Sequence, residues 1–198
     1  MTYDDYDIVA DIGWVAYLRE VLVPRVWDWD ASKYDSVADK IAPAYERVAA
    51  EYKSRGAAIL LSTWDVHPFF AFSLSRSMLK FTEDLYYRPE KIGKALQKAT
   101  DEFIERGLVN HKKYGAPASS IVEERAGAFF FPLHIFEKFW WPYTIQMIDA
   151  FWAEGIVASF HLDTPWDKNL PYFKRLPRGS CLIDLDGTTD IGAAKNLL

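Results

Sequence analysis

The sequence predicts an α/β fold on a parallel sheet, and three observations carry the prediction. Short apolar runs at 57–61, 119–122, 156–160 and 181–185 are four or five residues long, as strands buried on both faces should be. Longer amphipathic segments lie between them, the βαβα rhythm of a parallel sheet covered by helices. Each run also hands over to polar, mostly acidic residues. Four such units are half of an eight-unit barrel, so a single partial barrel domain is expected, with residues 1–56 a helical amino-terminal part and 57–198 the four βα units.

Taken in order, residues 3–30 carry apolar side chains at helical spacing around Trp14, Tyr17, Leu18 and Leu22, broken by Pro24 and Asp28-Trp29-Asp30. Residues 33–53 read as a helix with Val37, Ile41, Ala44, Tyr45 and Val48 on one stripe, stopped by Arg55-Gly56. The first strand, 57–61, follows at once. After it, 62–68 is polar and aromatic and reads as a rim loop before a helix over 69–84. Pro89 opens the next helix, where a missing N–H costs nothing, and Gly115 closes it. Residues 133–154 form a helix that Pro142 should kink. The fourth strand runs into Asp184, Asp186 and Asp190, and a helix over 191–197 ends the chain.

Composition narrows the partners. With 198 residues, 50% hydrophobic and 26% charged, the chain can bury a sizeable core. Eight Trp, eleven Tyr and thirteen Phe suit a large aromatic core or a site for a flat ligand. A net charge of -5 disfavours nucleic acid, whose binding rests on Lys and Arg. The most apolar stretch, 128–141, is interrupted by His134, Glu137 and Lys138 and is too short to span a bilayer. The single cysteine, Cys181, cannot form an internal disulfide and no signal-peptide pattern opens the chain, so a cytoplasmic protein is expected.

Candidate chemistry clusters after the strands. His161 and Asp163, alternate residues at a strand end, point the same way and can meet one ion; a rim histidine bonded to a nearby acid is the plainer alternative. Glu123, Glu124 and Arg125 form a charged turn, catalytic or merely a surface ion-pair group. Asp186 is a candidate general acid or base, while Thr189 or Asp190 suits a helix cap. Trp64, Asp65 and His67 make a further rim group; aromatic plus acid suits a quaternary ammonium.

Several segments together resemble the uroporphyrinogen decarboxylase superfamily, which includes cobalamin-dependent and zinc-dependent methyltransferases. The resemblance covers most of the chain from about residue 57. It rests on Leu85-Tyr86-Tyr87-Arg88-Pro89-Glu90-Lys91, Glu123-Glu124-Arg125-Ala126-Gly127, Phe136-Glu137-Lys138-Phe139-Trp140-Trp141-Pro142-Tyr143, and His161-Leu162-Asp163 followed by Asp186-Gly187-Thr188-Thr189-Asp190-Ile191. It implies a TIM-type (β/α)8 barrel, of which this chain supplies about four units, completed by a second chain or a second copy.

The same resemblance implies a zinc held by a His-x-Cys pair, where Asp163 stands in the cysteine's place, and a porphyrinogen-contacting serine, where Glu124 stands. The arginine-rich loop of the decarboxylases is not matched. The function expected on this basis is methyl transfer between a small methylated substrate and a corrinoid carried by a partner protein. Catalysis would fall to Asp186, Glu124 and Glu123, substrate binding to Trp64, Asp65, His67 and Arg125, and any zinc to His161 and Asp163. Uroporphyrinogen decarboxylation and a non-catalytic binding or assembly half-barrel are the alternatives.

Overall fold

The computed structural model describes residues 1–198, apart from the side chains of Ser62 and Thr63. In chain order it holds α1 (Asp5–Ile12), α2 (Trp14–Tyr17), a π-turn (Leu18–Leu22), α3 (Val23–Trp27), α4 (Ala31–Ser54), β1 (Leu61–Val66), α5 (Pro68–Arg76), α6 (Met78–Tyr87), α7 (Pro89–Tyr114), β2 (Ala118–Glu123), α8 (Leu133–Phe139), α9 (Trp141–Ala153), β3 (Val157–Leu162), α10 (Leu170–Phe173), β4 (Cys181–Leu185) and α11 (Ile191–Leu197). The four strands are all parallel and lie in sequence order. The α/β class and the four-strand parallel sheet expected from the sequence are present.

One strand is displaced from its expected position. The run 57–60 lies outside the sheet, and pairing begins where Leu60 O accepts from Ala118 N (3.0 Å) and continues through Val66. The polar residues read as a rim loop are therefore a strand. Asp65 is tolerated on the helix-covered side because its carboxylate is paired with Arg106 of α7. Register and alternation set Trp64, Val66, Ser120, Val122, His161 and Asp184 on one face of the sheet and Ile121, Phe160 and Leu162 on the other.

The second face is the core. Helices α7 and α9 pack across it and against each other, and an aromatic group around Trp140, Trp166, Phe136 and Phe160 fills the space, each fully buried. Most of the aromatic excess is thus core. As Pro142 foretold, the helix over 133–154 breaks at Trp140, whose φ of -120° separates α8 from α9. A break the sequence did not announce divides α5 from α6 at Ser77, where φ is +72°.

The helices α7 and α9 approach closely at Gly107, where an added Cβ would stand 2.6 Å from the Phe151 ring. Gly107→Ala should therefore destabilise by about 1–3 kcal/mol through overpacking, despite alanine's better helix propensity. Urea unfolding measures it; an unchanged or raised midpoint would show that the helices yield freely.

The amino-terminal segment is anchored by a buried charge. Asp5 accepts from Tyr17 Oη (2.9 Å), Arg25 Nη1 (2.6 Å) and Thr2 N (2.6 Å). Burial would raise its pKa, but the Arg25 bond and these donors win and hold it well below the usual carboxylate range. Helix α1 rests on α7. By contrast α4, capped by the Asp30 side chain on Lys33 N (2.7 Å), has no buried residue along its 24-residue length. No helix among the described residues is long and apolar enough to cross a membrane.

Candidate active-site mouth at the carboxyl end of the sheet

Histidine 161 occupies the penultimate position of β3, on the face not covered by helices. Its register partner on the neighbouring strand is Asp184, and that pairing makes the bond: His161 Nδ1 lies 2.9 Å from Asp184 Oδ2. The other ring nitrogen, Nε2, is 3.5 Å from Asp163 Oδ1. The Trp64 ring stands 5.6 Å from the imidazole and is 66% exposed. The Asp184 hydrogen bond raises the His161 pKa, burial opposes it, and the charges of Asp163, Asp184 and Glu124 add to the rise. The result is a partly exposed imidazole whose charged form is favoured, held by one carboxylate at Nδ1 with Nε2 toward another.

The loops after β2, β3 and β4 meet behind this histidine. Asp186 Oδ2 accepts from Thr164 N (2.9 Å), and its Oδ1 accepts from Thr188 N (2.9 Å) and Thr188 Oγ1 (2.6 Å). Thr164 Oγ1 donates to Glu124 O (3.4 Å), and Thr189 Oγ1 to Thr164 O (3.3 Å). Thr164 sits at φ +71°, a conformation that a β-branched residue adopts only when its surroundings insist. His161, Asp163, Glu124 and Asp186 thus gather at one end of the sheet, as the sequence reading requires. Within that group Asp186 is a loop fastener: the Thr188 hydroxyl and the backbone N–H groups lower its pKa and keep it ionised.

Four other expected residues stand away from the mouth. Asp65 points to the helix-covered side, where its Oδ2 accepts from Arg106 Nη2 (2.6 Å) and Nε (2.8 Å). Arg125 reaches α5, donating to Ser73 O (3.2 Å) with its guanidinium over the Phe70 ring. His67 is fully buried and caps α5, its Nδ1 accepting from Phe69 N (3.1 Å). Glu123 is fully buried as well: Oε1 accepts from Arg125 N (2.8 Å) and Ala126 N (3.0 Å), and Oε2 from Trp140 Nε1 (2.8 Å). It fastens the turn that delivers Glu124 to the mouth.

These two buried groups face each other, with His67 Nδ1 3.6 Å from Glu123 Oε2. Because Nδ1 accepts from Phe69, the proton of the neutral ring is on Nε2, toward Thr144 Oγ1 (3.2 Å). Burial pushes His67 down to about 3 and Glu123 up to about 8, outweighing the three N–H donors that favour the carboxylate. The pair is buried uncharged at neutral pH.

Asp184, missed as the partner of His161, carries no mark in the sequence beyond its place in an acidic cluster. Zinc fits poorly at the histidine: among the described residues Asp163 is the one carboxylate that faces its free nitrogen, and a protein zinc site takes three or four ligands. Among the described residues, no group of three or more His, Cys, Asp or Glu is arranged to hold a metal ion. No family model and no curated protein matches the chain.

Proposed function

We propose that this chain forms part of a (β/α)-barrel enzyme of the uroporphyrinogen decarboxylase type, working in the cytoplasm. Its reaction on this reading is transfer of a methyl group from a small methylated substrate to a corrinoid on a partner protein. The observation that carries the reading is the His161–Asp184 pair inside an acidic mouth. No Lys or Arg among the described residues is paired with Glu124, Asp163, Asp184 or Asp186. Such a mouth repels a substrate bearing several carboxylates and suits a neutral or cationic methylated compound, with the exposed face of Trp64 available to a methylated cation.

A corrinoid presented at this mouth would supply the nucleophile that takes the methyl group. The carbon–heteroatom bond breaks with its electron pair remaining on the heteroatom: a methylated ammonium leaves as a neutral amine without a proton, whereas the oxygen or sulfur of a methoxy compound or methyl thioether leaves as an anion and needs one. His161, charged through its bond to Asp184, supplies the proton from Nε2, and Asp184 stabilises the charged ring before the transfer.

The test incubates the folded chain with reduced cobalamin and a panel of methylamines, methoxy compounds and methyl thiols, following loss of the methyl group by mass spectrometry. Turnover of at least one member is expected, and none across the panel would overturn the proposal. Formation of coproporphyrinogen from uroporphyrinogen would replace it with decarboxylation.

A further inference from the structure

The sheet is covered on one side only. Parallel sheets are found with both faces buried, as doubly wound folds or as barrels whose inner face is filled by their own side chains. Both edges of this sheet carry exposed apolar side chains, while its helix-free face mixes Val66, Val122 and Leu182 with Ser120, His161 and Asp184. Ile41 and Val48 of α4, Leu60 and Trp64 at the β1 edge, and Leu182 and Leu198 at the β4 edge are each more than half exposed. Grooves run along both edges, one between α4, β1 and the end of α7, the other between β4 and the segment after α10.

We infer that the occupant of both edges is a second copy of this chain, its β1 pairing with β4 and its β4 with β1 to close an eight-stranded parallel barrel. This rests on the sheet and not on the chemistry proposed above. Three features favour a copy over an unrelated partner. Four parallel strands in sequence order need four more of the same sense to reach the eight that a filled α/β barrel contains, and a twofold axis along the barrel supplies them with the two edges meeting twice.

Helix α4 is the second feature. Tyr45 Oη bonds Leu61 O (3.0 Å), and Tyr45 and Glu46 reach Tyr114 and Lys113 of α7. This sets α4 beside α7, where a helix bridging β1 and an incoming strand belongs, yet no residue of the helix is fully buried in the single chain. The third is area. At roughly 100 Å² apiece, the six side chains on each copy would remove on the order of 1,200 Å² from water in the pair, what a stable interface needs. Closure would also place a second His161 across the mouth from the first.

The backbone of β4 offers a test that spares the single chain. Ser180 O accepts from Ala158 N and Asp186 N donates to Leu162 O, so even-numbered residues bond β3 and the N–H of Ile183 points out of the sheet. Ile183→Pro removes that outward donor without breaking an internal hydrogen bond, and because it also trims a side chain packed against the core the circular dichroism is read beside the mass. Leu182→Glu places a charge on the open face, harmless at 60% exposure and costly inside a barrel.

Light scattering on the full chain at tens of micromolar should give twice 22.8 kDa. Either variant should give the single mass with unchanged far-ultraviolet circular dichroism. A folded wild-type monomer, a larger open assembly, or a dimer that survives both substitutions would each overturn the inference; the last would place the contact elsewhere.

Discussion

Raising the pH from about 6.5 to about 8 should cost the native protein about 1–2 kcal/mol, and Glu123→Gln should remove most of that loss, leaving the smaller decline that the raised His161 pKa contributes. The cause is the buried Glu123–His67 pair. Glu123 stands at about 8 in the folded state against an ordinary 4.5, so over that span the native protein holds a proton that the unfolded chain releases, and stability drains as pH rises. His67 stands at about 3 against 6.5, so the native protein refuses a proton that the unfolded chain takes, and stability drains as pH falls. Between about 4.5 and 6.5 the two slopes oppose each other and nearly cancel. The stability curve should show a plateau there, with an alkaline limb due chiefly to Glu123 and an acid limb due to His67.

The substitutions separate the limbs. Glutamine keeps an oxygen for the Arg125 and Ala126 N–H groups, loses the acceptor for Trp140 Nε1 and cannot ionise, so it should cost about 1–2 kcal/mol at pH 6 and leave only the shallow alkaline decline due to His161. Alanine strands all three donors beside a cavity and should cost about 3–5 kcal/mol, enough to threaten folding outright. Urea midpoints from pH 4 to 9 for the native protein and Glu123→Gln decide the matter. A native curve level between pH 6.5 and 8, or a glutamine variant that keeps the slope, would show that Glu123 is ionised in its pocket.

The contrast between Glu123 and Glu124 shows what a linear sequence conceals. Both are acidic residues after the same apolar run, and a strand's twofold alternation sends one into the core and the other to the mouth. Which is which depends on the side the helices cover, a tertiary fact. Strands β2, β3 and β4, the kink at Pro142 and the capping Asp190, which accepts from Ala193 N at 2.9 Å, were legible because local geometry alone fixes them. β1 was misplaced because Asp65, held on its helix-covered side by Arg106 of α7, interrupts the apolar run that marks a buried strand. The gathering of His161, Asp163, Glu124 and Asp186 followed from parallel strand direction. The His161–Asp184 bond depends on the register between β3 and β4, which no spacing within either strand discloses.

That bond sets the largest functional effect expected. His161→Ala should lower methyl transfer by about 10²–10⁴-fold if Nε2 is the proton donor, while barely moving stability, since the side chain is one-third exposed. Loss of activity alone would not distinguish a proton donor from a residue that shapes the mouth; the pH profile does. A donor must be charged, so the native rate should fall as pH rises through the raised His161 pKa. Asp184→Asn removes the largest cause of that rise and should shift the alkaline limb to lower pH, with the plateau rate at low pH reduced less than in His161→Ala. Asp190→Asn, at a helix cap outside the mouth, should leave the limb in place. An alkaline limb unmoved by Asp184→Asn would mean that the titrating group is not this histidine, and the mouth would need another acid.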